Sequence, residues 1–150
     1  MKKSYLFVYI LSFIFITPVY AGAGHTGNSI SHSKKPRVMR WYNEHMVMNG
    51  ALIYVKHCIE CHQANAAGMN NWRKVGSDGN YPAPPLNGSG HAWHHDFETL
   101  KRTVSEGGVK NGGTMPGFSD KLNSEEINSV LAWVQSNWSE GTYNEWISRN

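Results

Sequence analysis

Cysteine is scarce in this chain, because its 150 residues include only two. Two cysteines exclude a framework of several disulfides and a zinc site built on four thiolates. The chain also lacks a large excess of positive or negative charge. It has 14 Lys and Arg and 11 Asp and Glu, which gives a formal net charge of +3 with the eight histidines neutral. So small an excess excludes the basic footprint of a nucleic-acid-binding protein. The length favours a single domain.

Long apolar runs are also lacking, except for one at the amino terminus. Lys2 and Lys3 precede an apolar segment, residues 5–16, and small residues follow it as far as Ala21. This order is typical of a secretory signal peptide, and the run is shorter than the roughly 20 residues that a membrane-spanning helix needs. We therefore predict a signal peptide over residues 1–21 and a periplasmic mature protein without a membrane span. A permanent membrane anchor is the alternative.

The rest of the chain lacks the alternating pattern of strands. Residues 22–37 are rich in Gly, Ser, His and Lys without an apolar period, which predicts a flexible leader. Residues 38–150 are predicted to form one all-α domain of three or more helices joined by long loops. The domain ends in a short carboxy-terminal extension, residues 139–150, and the sequence leaves open whether this extension packs on the domain or binds a partner.

Three segments have helical spacing or helix-capping signals. The first runs from Met46 to about Cys58, the second follows Asp96, and the third follows a capping box formed by Asn123 and Glu126. Between the first and second, residues 63–93 carry eight glycines and prolines, too many for regular elements. A loop of this length in a compact domain needs support from something else, such as a bound cofactor. The apolar positions predicted to line the first helix are Val47, Leu52, Ile53 and Val55.

Both cysteines fall in one motif, Cys58-Ile59-Glu60-Cys61-His62, which is the C-x-x-C-H pattern of covalent haem attachment. Thioether bonds from Cys58 and Cys61 would fix one haem c, and His62 would coordinate its iron. A thioredoxin-type redox pair is the main alternative, but it needs a βαβ context that this chain lacks. An isolated disulfide would be strained at this spacing.

Beyond the motif, residues 46–138 resemble a class I c-type cytochrome, that is, a monohaem cytochrome c. In that family the first helix carries a glycine and an aromatic residue, matched by Gly50 and Tyr54. These cross the last helix at positions matched by Val130 and Trp133. The resemblance implies the cytochrome c fold, with helices and long loops around one covalently bound haem.

The resemblance also implies how the iron is held. The family has a P-x-L-x-G loop whose proline carbonyl accepts a hydrogen bond from the ligand histidine, and residues 84–88 fit that spacing. It takes its second iron ligand, a methionine, from a loop before the last helix. Met115, within residues 112–118, matches that ligand. The resemblance thus implies axial ligation by His62 and Met115.

Alternatives to this ligand set stay open. The second ligand could be an imidazole from His91, His94 or His95, whereas Met69 lies only seven residues after His62 and is expected to be too close. A second metal site, for example for copper, could use the same histidines or a separate soft cluster. That cluster comprises His45, Met46 and Met48.

Aromatic and cationic residues in the long loop have a further expected role. We expect some of them to cover the haem edge or to contact the haem propionates. These residues are Trp72, Arg73 and Trp93.

An iron closed by two protein ligands leaves no open position for a substrate, so we expect a one-electron carrier and no enzyme. Its partners would be redox proteins outside the cytoplasmic membrane: a membrane oxidoreductase, a terminal oxidase or another carrier. The carrier would be a monomer that docks through a local patch containing Lys110 and Lys121. A small peroxidase, a haem sensor and a metal-handling protein are the rival functions.

Overall fold

The computed structural model describes residues 38–150, which are helical and contain no strand. The all-α class is therefore confirmed, whereas the predicted signal peptide (1–21) and leader (22–37) lie outside the described residues. Within 38–150, no helix is long and apolar enough to cross a membrane. The α-helices are α1 Glu44–His57, α2 Ile59–His62, α3 Phe97–Glu106, α4 Ser124–Ser136 and α5 Glu140–Ile147. Short 3-10 turns occur at Ala64–Ala66, Ala92–His94 and Val109–Asn111.

Polar side chains set the starts of α3 and α4, as the sequence predicts. Asp96 accepts a hydrogen bond from the Thr99 amide at 2.6 Å and begins α3. Asn123 begins α4 and forms a reciprocal capping box with Glu126. Each cap satisfies amide groups that the first helical turn leaves without partners.

The core is built on the crossing of α1 and α4. A Cβ atom at Gly50 would overlap the Ser129 carbonyl and lie 2.9 Å from the Trp133 Cβ, so only glycine lets the two helices approach this closely. The Tyr54 and Trp133 rings pack beside this point with their centroids 4.0 Å apart. Trp133 is thus the expected partner, but the glycine meets Ser129 rather than Val130, which is buried in the adjoining core.

Only some of the apolar positions that predict α1 are buried. Gly50, Ile53 and Tyr54 are buried, whereas Leu52 and Val55 are 72% and 61% exposed. Leu52 and Val55 each lie about 100° from the stripe made by the three buried residues, which follow the i, i+3, i+4 spacing. Apolar spacing therefore predicts the helix but does not by itself give the face that packs on α4.

The carboxy-terminal extension packs on the domain through α5. Its Tyr143 and Trp146 are buried and join a core cluster with Trp138, which follows the end of α4. Arg40, near the start of the domain in sequence, contacts α5 at two residues. Its guanidinium lies 3.7 Å from the Tyr143 ring centroid and donates a hydrogen bond to the Glu140 carboxylate at 2.7 Å. These contacts answer the question that the sequence left open.

Candidate functional site

The C-x-x-C-H motif lies where α1 gives way to α2. Cys58 caps the end of α1, and its carbonyl accepts hydrogen bonds from the amides of Cys61 and His62 at 3.2 and 2.9 Å. This single turn brings both thiols and the imidazole to one short segment. The two cysteines are not bonded to each other, so a disulfide does not use them.

The His62 ring is buried and fixed in orientation. Only 7% of the residue is exposed, and its Nδ1 lies 2.8 Å from the Pro84 carbonyl oxygen. Nδ1–H therefore donates to this carbonyl, which leaves Nε2 with a free lone pair. Burial lowers the pKa of His62, although the Pro84 carbonyl opposes that shift. A neutral, oriented imidazole is the form that binds a metal ion, and its hydrogen bond raises its basicity as a ligand.

Residues 63–93 are organised around this histidine. The Gly68 amide donates to the His62 carbonyl at 2.8 Å, and the Leu86 amide donates to Ala66 at 2.8 Å. Gly68 has a φ of +71°, and a Cβ there would collide with the backbone of Pro84 and Pro85. Backbone hydrogen bonds and the close approach at Gly68 therefore hold the Pro84 carbonyl beside His62, although the loop contains no regular helix or strand at this point.

The Cys58 thiol is poorly suited to redox exchange. Cys58 is half-buried, and burial together with the neighbouring Cys61 raises the pKa of its thiol to about 11. A redox-active cysteine needs a lowered pKa, because the thiolate is the nucleophile. The raised pKa argues against the thioredoxin-type alternative.

A cavity of about 760 Å³ adjoins the motif. Its volume lies within the roughly 300–1,000 Å³ of cofactor and ligand sites. Cys61 and Met69 line it from the segment after α1, and Thr114 lines it from the loop before α4. Its other lining residues are Gln63, Gly68, Asn70, Asp78, Asn80, Tyr81, Pro82 and Ala83. An attachment thiol on the wall and a buried imidazole in the next residue make this site a fit for a covalently held haem.

Met115 follows Thr114 in a loop that is tightly closed. The residue is half-buried and packs against the core, and its carbonyl accepts a hydrogen bond from the Gly108 amide at 2.9 Å. Met69 lines the cavity and Met115 does not, but the amide of Gly68, beside Met69, donates to the His62 carbonyl. Met69 thus belongs to the backbone segment that is bonded to His62, whereas Met115 belongs to a separate loop, the one before α4.

The competing histidines have other neighbours. His91, His94 and His95 are exposed and are not among the residues that line the cavity. His91 stacks on Trp72 with ring centroids 5.6 Å apart, and His94 stacks on Trp93 at 3.8 Å. Across residues 38–150, no three or more His, Cys, Asp or Glu side chains are grouped to hold a metal ion.

The residues expected to contact haem propionates also have partners. The Trp93 indole N–H donates to the Gly90 carbonyl at 3.1 Å, so its donor is already used within the loop. The Arg73 guanidinium lies 4.4 Å from the Trp72 ring centroid. None of these three side chains is among those that line the cavity. In the described structure these side chains stabilise the loop surface.

Residues 45–134 match the sequence model of a family described as cytochrome c oxidase, cbb3-type, subunit III. The match covers more than half of the chain and spans the attachment motif, the Pro84 loop and Met115. The chain belongs to this family. As a member of the cbb3-type subunit III family it carries covalently bound haem c, and it is a c-type haem electron-transfer protein with the cytochrome c fold.

The chain is also similar to a curated protein whose name refers to a cbb3-type oxidase, as the family description does. The Cbb3-type cytochrome c oxidase subunit FixP of Sinorhizobium medicae is 27% identical over 96 residues, which cover 60% of this chain and 29% of that protein. The chain therefore matches less than a third of the length of this relative. No solved structure gives a significant match.

Two glycines near Met115 allow a matched test of the methionine loop. Both Gly107 and Gly112 have positive φ, at +82° and +78°, but a Cβ at Gly107 would lie 2.6 Å from the Met115 carbonyl oxygen, whereas one at Gly112 meets nothing within 4 Å. Both Ala variants carry backbone strain of about 1–3 kcal/mol, and the strain is larger at Gly107, whose ψ of 179° is almost restricted to glycine, than at Gly112, whose ψ is 15°. We expect only Gly107→Ala to weaken the sulfur-to-iron absorption band of the ferric holoprotein. Equal bands in the two variants would show that this loop does not position a ligand.

Proposed function

We propose that this protein is a soluble one-electron carrier in which Cys58 and Cys61 attach the haem while His62 and Met115 bind its iron. The observation that supports this most is the 2.8 Å contact between His62 Nδ1 and the Pro84 oxygen on a buried ring. A bound c-type haem supplies reversible one-electron transfer between ferric and ferrous iron. The chain contributes a fixed imidazole, two thiols and a closed methionine loop. If His62 and Met115 both bind the iron, no coordination position would remain for a substrate, so the proposed role is that of a carrier and not of an enzyme.

The partners proposed for this carrier are redox proteins outside the cytoplasmic membrane. The family description and the name of the relative both refer to a cbb3-type oxidase, which favours a terminal oxidase among these partners. A membrane oxidoreductase and another carrier are the other candidates. Export through a cleaved signal peptide, residues 1–21, and a periplasmic monomer are part of the same proposal.

The same names favour a second candidate, a resident subunit of an oxidase complex. Gentle detergent extraction followed by size-exclusion chromatography separates the two. A free carrier is released without detergent and elutes at the volume of a monomer, whereas a resident subunit is extracted by the detergent and elutes with the oxidase. Co-elution of all the covalent haem of this chain with the complex would contradict the soluble carrier.

A redox titration tests the proposed function on the purified holoprotein. We expect one transition that fits a single-electron Nernst curve, and no carbon monoxide binding to the reduced protein, because Met115 occupies the second axial position. Rapid carbon monoxide binding by the unaltered protein would reveal an open position. It would favour a peroxidase or a sensor instead.

Docking provides a further prediction. Lys110 and Lys121 flank the Met115 loop, but the Lys110 ammonium lies 3.6 Å from the Glu106 carboxylate, which offsets its charge. The Lys121 ammonium lies 5.7 Å from the Phe118 ring centroid. We therefore expect Lys121→Glu to slow electron exchange with an oxidase more than Lys110→Glu, and mainly at low ionic strength.

Stopped-flow rates across a salt series measure this effect. Lys56→Glu at the end of α1 is the control, since it makes the same charge change on another exposed lysine. The absorption spectrum and the potential should stay as in the unaltered protein. If the double variant of Lys110 and Lys121 exchanges electrons as fast as the unaltered protein at the lowest salt, this surface has no part in docking.

A further inference from the structure

Two buried tryptophans tie the Pro84 loop to the carboxy-terminal part of the fold. The Trp138 indole N–H donates to the Leu86 carbonyl at 2.8 Å, and the Trp146 indole N–H donates to the His95 carbonyl at 2.8 Å. Each tryptophan is only 3% exposed. Neither contact is needed to attach a haem, yet each places a donor on the backbone of the segment that follows the His62 acceptor.

The Trp138 contact lies two residues after Pro84. Leu86 is held on both sides of its backbone, because its amide donates to Ala66 at 2.8 Å while its carbonyl accepts from Trp138. Upstream, the backbone of Pro84 and Pro85 lies so close to Gly68 that a Cβ there would come within 2.6 Å of the Pro84 carbonyl carbon. The only described hydrogen bond that ties Leu86 to the helical scaffold after α4 is therefore the one from Trp138.

The α5 helix in turn keeps Trp138 in place. The Trp138 and Trp146 rings make an edge contact with centroids 6.0 Å apart. On the loop side, a Cβ added at Gly88 would lie 3.4 Å from Trp138 Cδ1 and 3.5 Å from Thr142 Cγ2. Gly88 has a φ of +92°, so the loop meets Trp138 and α5 at a position that suits glycine.

We propose that Trp138 is a positioning residue for the histidine ligand: its indole N–H holds the Leu86 carbonyl and thereby keeps the Pro84 carbonyl within hydrogen-bond distance of His62 Nδ1. The carboxy-terminal extension, residues 139–150, supports this contact through α5. This inference rests on His62 as the proposed iron ligand. Since a hydrogen bond at Nδ1 makes the imidazole a more basic ligand, loosening it makes the ferric state less favourable and raises the reduction potential.

Two conservative variants of the holoprotein test the inference. Trp138→Phe and Trp146→Phe each keep a buried ring and remove one indole donor to a backbone carbonyl, but the two carbonyls lie two and eleven residues after Pro84. We expect Trp138→Phe to speed hydrogen exchange at His62 Nδ1–H about fivefold, which corresponds to a net loss of one ordinary hydrogen bond. Its reduction potential should rise. Trp146→Phe should change the exchange rate by less than about twofold, which is less than the loss of one ordinary hydrogen bond, and leave the potential unaltered.

Nuclear magnetic resonance and a redox titration distinguish the outcomes. Equal changes in both variants would show general loosening, and no change in either would show that Trp138 does not act on His62. Each of these results overturns the inference while leaving the proposed function intact. If the unaltered ferric protein shows no paramagnetically shifted signals from the His62 ring, then His62 is not a ligand and both proposals fail.

A measurement on the unaltered holoprotein serves if Trp138→Phe does not mature. The inference requires the Trp138 indole N–H and His62 Nδ1–H to become exchangeable through one opening. The free energies of opening calculated from the two exchange rates, after correction for the intrinsic exchange rate of each group, should therefore be equal at every denaturant concentration. If the corrected exchange rate of the Trp138 proton is more than about ten times that of the His62 proton, the two groups open separately and the inference is overturned. A tenfold ratio corresponds to a difference of about 1.4 kcal/mol in the free energy of opening.

Discussion

Replacement of both Cys58 and Cys61 by alanine is expected to abolish the covalently haem-loaded protein. The motif holds the only two cysteines of the chain, and they are not bonded to each other. Without thioether bonds the haem is not fixed in the fold, and residues 63–93 lose the apolar surface that offsets the cost of ordering so long a loop. Acid-acetone extraction followed by intact mass measurement checks the result.

The unaltered protein should retain the mass of one haem after extraction, and the double variant should retain none. The single variants add a structural contrast. Cys58 is half-buried and packs against the core, whereas Cys61 is exposed on the cavity wall, so Cys58→Ala should lower the stability of the fold more than Cys61→Ala. An unaltered protein whose mass equals that of the bare chain would refute covalent attachment.

Local signals in the sequence predicted the starts of α3 and α4 correctly, whereas α1 begins at Glu44, two residues before the predicted start at Met46. Asp96 and Asn123 act on amides two or three residues away, so the identity of the residue and its short spacing are sufficient. The C-x-x-C-H motif is local in the same sense, since its groups lie within one turn. The Pro84 acceptor is 22 residues from His62, and it was found only because the loop resembles that of a known family.

The contacts that the sequence did not predict are those between distant segments. Trp138 and Leu86 are 52 residues apart, and no spacing rule links an indole to a particular backbone carbonyl. The sequence likewise did not show that Leu52 and Val55 are exposed, because the buried face of α1 is set by where α4 crosses it. The packing of α5 likewise depends on Arg40, 100 residues away from its partner Glu140.

Met69 lines the cavity and Met115 follows Thr114, which also lines it, so the roles of the two methionines can be separated by substitution. Met115→Ala is expected to open the second axial position, whereas Met69→Ala is expected to leave it filled. Met115 belongs to a loop closed by the Gly108 amide, and Met69 starts beside a backbone amide bonded to His62. Because a separate loop is better placed to reach the other side of an iron held by His62, Met115 is the expected ligand.

Met115→Leu sharpens the comparison, because it keeps nearly the same volume and removes only the sulfur, at a packing cost below about 1.5 kcal/mol. In the ferric protein both Met115 variants should lose the long-wavelength sulfur-to-iron band, and in the reduced protein both should bind carbon monoxide. Their reduction potential should fall, since thioether ligation favours ferrous iron. Met69→Ala should retain the band and exclude carbon monoxide. If Met69→Ala abolishes the band while Met115→Leu retains it, the axial ligand is Met69, and the loop before α4 serves only to close the cavity.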